Sequence, residues 1–408
     1  MTWLTLAIFL AVYAGMAAGR WPGLAVDRTG IAVIGGLAMV ISGAVAPEAA
    51  LAAIDWPTLI LLFALMILSA QFALAGFYDR AAARLAAGRV GPALLLGLVV
   101  AVSGLTSAVL SNDVVVFALA LPLARGVWGR GLDPRPFVLG LAGGANAGSA
   151  LTLIGNPQNI LIGQLGGLDF WSYAAAAAVP SLAALLAVHL AIVLVWRRRW
   201  HLAADSLSGT APDMGMAPAV DRPALIKAVV ALVAVLVAFS TPVPHVEAAV
   251  AIAAALMISR RIETRRLLAE VDWSLLLLFA GLFVVTGAFA ATGLPGQALA
   301  WLAGAGIAPD RLAVMAPLTL AGSNTIGNVP LVMLLLAIQP DWSPAALTAL
   351  AVLSTLAGNF LVVGSLANII AVERVRSLGL VVDFATHARS GVPMTLAGMG
   401  LALLWFVV

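Results

Sequence analysis

Thr152-Leu153-Ile154-Gly155-Asn156-Pro157-Gln158-Asn159-Ile160 is a polar interruption inside an apolar run that extends from about 136 to 165. The run itself is long enough to cross a bilayer core, which takes about 20 helical residues. Inside lipid an unpaired backbone group is costly, so a break at that depth needs protein, water or a ligand around it. Gly155 permits a left-handed backbone, and Pro157 suits the first turn of the helix that follows. Asn156, Gln158 and Asn159 then gather at that helix start. The segment reads either as a substrate or ion site on a broken helix, or as a kink packed by amide side chains.

The pattern returns later in the chain. Gly155-x-x-x-Asn159-Ile160 matches Gly364-x-x-x-Asn368-Ile369, in a second interrupted run over about 344–373. Ser107-x-x-x-Ser111-Asn112 matches Ser323-x-x-x-Gly327-Asn328, within apolar regions at about 92–127 and 311–339. Ile54-Asp55-Trp56 matches Val271-Asp272-Trp273, while Phe72-Ala73 and Gly76 match Phe289-Ala290 and Gly293. The order is kept and the offsets drift slowly from 217 to 209 residues. The chain therefore reads as two related halves.

Composition places both halves in a membrane. Of 408 residues, 63% are hydrophobic and 10% charged, and mean hydropathy is +1.09. Soluble domains carry roughly 25% charged residues, so these charges are too few to cover a soluble surface of this size. The apolar runs do not alternate, which makes the spans helices rather than barrel strands. Uninterrupted runs fall near 3–19, 29–46, 57–76, 171–195, 223–240, 243–260, 272–291 and 390–408. The first lacks a positive leader region, since Arg20 follows it, and reads as a transmembrane helix rather than a signal peptide. An isoelectric point near 9.9 does not indicate nucleic acid, because the arginines sit in short loops between apolar runs. With no cysteine there are no disulfides, thiol nucleophiles or Cys-ligated metals.

Charge fixes the crossing count. If the regions at 92–127 and 311–339 are re-entrant hairpins and the broken helices cross, 20 of the 21 basic residues fall on one side and only Arg311 falls opposite. The crowded side is cytoplasmic. The expectation is an all-α polytopic protein with ten crossings, two of them broken, two re-entrant hairpins, and both termini periplasmic. Trp3, Trp21, Trp56, Trp171, Trp196, Trp200, Trp273 and Trp405 lie near helix ends, as interfacial indoles do. The stretch 200–222, rich in Gly, Ser, Pro and Asp, reads as a cytoplasmic linker. Five crossings per half invert the second half relative to the first. Inverted repeats with paired broken helices point to a site near the midplane and to alternating access.

The candidate residues are the polar ones at the four breaks. At the first hairpin tip, Ser111 and Asn112 are expected to contact substrate or ion. Asp113 reads as a coupling carboxylate, or as a cap for a helix beginning at Val114. The second tip offers Gly327 and Asn328, with Val329 where the first has Asp113. The breaks offer Thr152, Gly155, Asn156, Gln158 and Asn159, and then Gly364, Ser365 and Asn368. Half-helix starts suit anions, and unwound carbonyls suit cations. Asp55 and Asp272 precede helices and read as dipole-favoured charges, and His189 as a packing residue. There is no nucleophile–base constellation for an intramembrane enzyme, and no Walker sequence for ATP coupling.

These motifs resemble the ion transporter superfamily, which includes citrate and dicarboxylate transporters, arsenite permeases and certain Na+/H+ antiporters. The resemblance rests on Thr106-Ser107-Ala-Val-Leu-Ser111-Asn112-Asp113, Asn146-Ala-Gly148-Ser149, Gly155-Asn156-Pro157-Gln158-Asn159-Ile160, Gly327-Asn328-Val329-Pro330 and Gly364-Ser365-Leu-Ala-Asn368. It is strongest to bacterial anion permeases of the citrate-transporter and arsenite-permease branch. The tips depart from the Ser-Asn-Thr of dicarboxylate transporters, and Asp113 is more like the arsenite-permease tip. The resemblance implies a homodimer in the bacterial inner membrane, working by an elevator motion. In those terms the first inverted repeat is 1–199, with a scaffold part near 3–76, a transport part at 92–165 and a crossing at 171–195. The second is 223–408, with a scaffold part at 223–291, a transport part at 311–373 and a crossing at 390–408. Ser111 and Asn112 would form one ion clamp with Gly155 and Asn156, where Na+ is expected. Asn328 would face Gly364 and Ser365 at the other. The expected function is secondary transport of a small anion or oxyanion, coupled to H+ or Na+ and without a resident cofactor. The alternative is a Na+/H+ antiporter or arsenite exporter of the same fold. The first half, with Ser111, Asp113 and three amides, is expected to hold the better-defined ion site.

Overall fold

The computed structural model describes residues 1–21, 23–201, 220–339 and 341–407, so most of the linker expected at 200–222 lies outside the described residues. Among the described residues the elements are helical, with two isolated bridges, Arg20 to Asp27 and Leu132 to His201.

The first half runs α1 Thr2–Ala18, α2 Arg28–Ile41, α3 Pro47–Ala53, α4 Trp56–Leu74, α5 Phe77–Ala87, α6 Pro92–Ser107, α7 Asn112–Trp128, α8 Pro134–Ser149, α9 Pro157–Gly166 and α10 Phe170–Trp196. The second half repeats the order: α11 Arg222–Ala238, α12 His245–Met257, α13 Thr264–Ala269, α14 Trp273–Ala290, α15 Leu294–Gly304, α16 Leu312–Thr325, α17 Asn328–Ile338, α18 Pro344–Ala357, α19 Leu366–Arg376 and α20 Phe384–Val407. The breaks fall where the polar residues stand, between α8 and α9 and between α18 and α19. A 3-10 turn, Val362–Gly364, fills the second break.

Equivalent residues do equivalent work. Asp55 caps α4 by accepting from Thr58 N–H at 2.8 Å, and Asp272 caps α14 by accepting from Leu275 N–H at 2.9 Å. Each neutralises orphan donors at its helix start. The Trp56 and Trp273 indoles donate to the Leu51 and Leu268 carbonyls, closing the same turn twice. Asp169 and Asp383 cap α10 and α20, and hydrogen bonds from Ser172 and Thr386 hold both carboxyls below the usual carboxylate range.

α4, α10, α14 and α20 are long and apolar enough to cross a membrane on their own. α10 shows why these helices need lipid. It buries Ala177, Ala184, Val188 and Ile192, yet leaves Leu182, Leu186, Leu190 and Leu194 exposed. An apolar stripe of that length on an outer face is a lipid-facing surface. α2 packs on α14, α4 on α12, and α10 on α20. Between them, α7 packs against α19 and α9 against α18, so the two hairpins and two broken helices interlock across the halves.

Candidate functional site

The first hairpin tip is tied directly to the first break. Asn112 N–H donates to the Gly155 carbonyl at 3.1 Å, and Thr152 Oγ1 donates to the Ala108 carbonyl. The Ser111 N–H donates to Ser69 Oγ on α4 at 3.2 Å. Gly155 is not left-handed, contrary to the sequence expectation. It is glycine because the backbones meet there: a β-carbon would overlap the Ser149 carbonyl and stand 2.8 Å from the Ser107 carbonyl. The left-handed glycine is at the other tip, where Gly327 has φ 99°.

Two side chains that mirror one another knit the breaks together. Thr355 on α18 accepts from Asn156 Nδ2 at 3.2 Å and from Gln158 Nε2 at 3.1 Å, and donates to Asn159 Oδ1 at 3.2 Å. Its equivalent, Asn146 on α8, donates to Asn359 Oδ1 at 2.7 Å and Asn368 Oδ1 at 3.3 Å. Asn146 Oδ1 also accepts from Asn112 Nδ2 and Ser365 Oγ, each at 3.0 Å. Each broken helix thus offers one polar side chain to the second piece of the other. Asn156 and Asn368 spend the rest of their capacity nearby, Asn156 Oδ1 on Asn159 N–H at 2.9 Å and Asn368 Nδ2 on the Gly358 carbonyl at 2.8 Å.

Against this network lies a cavity of about 480 Å³. Asn112, Asp113 and Gln158 line it from the first half, and Gly327, Asn328, Gly364 and Ser365 from the second. Arg28 and Thr29 on α2, with Asp272 and Ser274 at the start of α14, line it as well. Among the described residues, α7, α17 and α19 start without a side-chain cap, so orphan N–H groups remain beside the cavity, apart from Asn112 N–H, which the Gly155 carbonyl takes. Asp113 does not cap a helix at Val114. α7 already starts at Asn112, with Ser111 at the cap position, and the Asp113 carboxylate has no hydrogen-bond partner among the described residues. Asp113 and Asp272 also line a neighbouring cavity of about 220 Å³ that reaches Ser111 and Glu270.

A family model for the citrate transporter matches residues 8–346. The chain belongs to the citrate transporter family. An uncharacterized transporter of Mycobacterium tuberculosis strain H37Rv is 29% identical, over 99% of this chain and 98% of that relative. The silicon efflux transporter LSI3 of Oryza sativa subsp. japonica is 30% identical, over 92% of this chain and 91% of that protein. The crystal structure of the Alcanivorax borkumensis YdaH transporter superposes with a TM-score of 0.50 at 15% identity, covering 100% of this chain and 97% of that one. The architecture of this citrate transporter family member is therefore that of a membrane transporter.

The residues expected from the sequence divide by role. Asn112, Asp113, Gln158, Gly327, Asn328, Gly364 and Ser365 face the central cavity, and Ser111 faces the neighbouring one. Thr152, Gly155, Asn156, Asn159 and Asn368 are buried behind them and hold the frame. Both halves contribute to the cavity lining. Asn146 and Thr355 were missed as site residues, although they stand 209 positions apart, the offset that relates Gly155 to Gly364. Arg28 was missed because it sorts with the loop cations. Glu373 is exposed and does not line the central cavity, while its neighbour Arg374 stacks over Phe117 at 4.0 Å.

Proposed function

We propose that this chain is a secondary active transporter that carries a small anion or oxyanion across the bacterial inner membrane, coupled to H+ or Na+, by alternating access. The observation that supports it best is the central cavity, where two hairpin tips and two helix breaks converge with three uncapped helix starts. Uncapped starts offer N–H donors and a partial positive charge to an anion without any covalent chemistry. Asp113, in the same cavity and free of hydrogen bonds among the described residues, is the coupling carboxylate in this reading. Na+ would be held where Asn112 meets Gly155, close to Ser111 and Asn156. The Asn112 Oδ1 atom is buried there without a partner among the described residues. The chain works as a homodimer, with the hairpins and broken helices moving as an elevator against the helices near 3–76 and 223–291.

A second reading has one specific support. The 30% identical relative is named as a silicon efflux transporter, and Asp113 and Asp272 line the same two cavities. This favours an exporter of a weak oxyacid such as arsenite, or a Na+/H+ antiporter, in which the carboxylates take the cation. Uptake by proteoliposomes under an imposed Na+ or pH gradient tests both. Gradient-driven accumulation of an anion, lost in Asp113→Asn with folding intact, is the expected result. Accumulation that ignores both gradients sinks the coupling claim. Proton or Na+ exchange with no anion moved selects the second reading.

A further inference from the structure

We propose that Arg28 sets the charge of the transported solute, its guanidinium anchoring a carboxylate or oxyanion over the second hairpin tip. The inference rests on the transporter reading above and names the solute contact within that cavity.

Arg28 opens α2, and its neighbour Asp27 is already committed to capping Gly30 N–H at 2.9 Å. Arg28 Nε donates to the Met16 carbonyl at 3.1 Å, which anchors the side chain and leaves the two terminal NH2 groups for other partners. One of them, Nη1, lies 3.7 Å from the point where a β-carbon on Gly327 would stand. The guanidinium therefore sits over the tip that starts α17. Among the described residues it is the only basic side chain lining the central cavity. Asp27, Asp113 and Asp272 line the same cavity, yet none forms an ion pair with it.

An unpaired guanidinium in a half-buried site is expensive unless water or a ligand completes it. The terminal fork matches two oxygens on one centre, the geometry of a carboxylate or oxyanion. The uncapped starts of α17 and α19 add backbone donors at the same place. Gly327 has φ 99°, a backbone that side-chain-bearing residues rarely adopt, which keeps this tip bare beside Arg28 and Pro330. The first tip has Ser111 at that position. The equivalent of Arg28 in the second half is His245, at the start of α12, and its ring packs on Phe239 at 4.4 Å, away from the central cavity. Charge selection therefore resides in one half, and a neutral hydroxy acid gains nothing from it.

The test compares wild type, Arg28→Gln and Arg28→Lys, purified and reconstituted, with succinate, citrate and phosphate as anionic probes and silicic acid as a neutral one. The wild type is expected to transport at least one anion and to be thermally stabilised by it. Arg28→Gln should raise that anion's half-saturation concentration about tenfold or more, with a smaller change in maximal rate. Arg28→Lys should recover part of the loss, and its unfolding temperature without ligand shows whether folding is intact. Unchanged half-saturation in Arg28→Gln overturns the inference and leaves the transporter reading standing. A wild type that moves silicic acid and binds none of the anions overturns the inference together with the anion claim.

Discussion

Among the described residues, Asn146 makes the most hydrogen bonds to other side chains in the polar network. Its amide makes four side-chain hydrogen bonds, to Asn112, Asn359, Ser365 and Asn368, and it is 1% exposed. Asn146→Ala removes all four and leaves buried partners unsatisfied, at about 1–3 kcal/mol for each group that finds no replacement. The expected outcome is a clear drop in unfolding temperature in detergent, together with loss of uptake. An unchanged melting curve would show that water fills the gap and that the amide is not the link between the halves. Such a residue was hard to find in the sequence because it interrupts nothing. It lies inside α8, whereas Asn156 and Asn368 stand at visible breaks. Arg28 was hidden for the opposite reason. A cation at a helix start looks like any loop cation until the fold turns it toward a cavity. Ser111, Asn112, Asp113 and Gln158 were legible because polar residues deep in apolar runs need a reason to be there.

The hairpins and broken helices are held at close range by glycine. A β-carbon on Gly148 would overlap the Gly104 backbone carbonyl, so α6 and α8 touch main chain to main chain. Gly281 on α14 meets the Ala32 carbonyl on α2, where a β-carbon would stand 2.5 Å away. In lipid there is little hydrophobic drive between helices, so close contacts between small residues supply the packing. Gly148→Ala cannot be relieved by a side-chain rotation, because the obstacle is backbone. It should cost about 1–3 kcal/mol as overpacking and lower the yield of monodisperse protein. Gly296→Ala on α15, with nothing within 4 Å of the added carbon, is the matched control and should be neutral or slightly stabilising. Equal yields for the two would mean that α6 and α8 are not held as closely as the fold places them. Element boundaries were partly legible here: the run expected at 29–46 ends as α2 at Ile41, and the run expected at 390–408 starts as α20 at Phe384. The spans expected at 57–76 and 171–195 appear as α4 and α10 within two residues. α5 and α15 were not, since both are 11-residue helices that neither cross nor break an apolar run. α5 buries Tyr78 and Ala82, and its basic residues look like a loop in the sequence.

At the scale of the molecule, the repeated order of ten helices in each half, among the described residues, sets up a question of orientation. Arginine placement argues that the second half enters the membrane from the opposite face to the first. If so, the α11–α12 turn lies outside and the α19–α20 connection lies inside. The absence of cysteine makes this directly measurable, because a single introduced thiol is the only target for a maleimide. Ser240 and Ser377 are both exposed, in those two connections. In right-side-out spheroplasts, Ser240→Cys should react with a membrane-impermeant maleimide, and Ser377→Cys should react only after permeabilisation. The reverse pattern would put both termini inside, with the arginines against the positive-inside rule. Labelling of both thiols from outside would mean that one region read as a hairpin or a broken helix crosses differently. If the repeat carries the same change into the first half, each half has an even number of crossings, the two share a direction, and the geometric basis for alternating access by inverted repeats is gone.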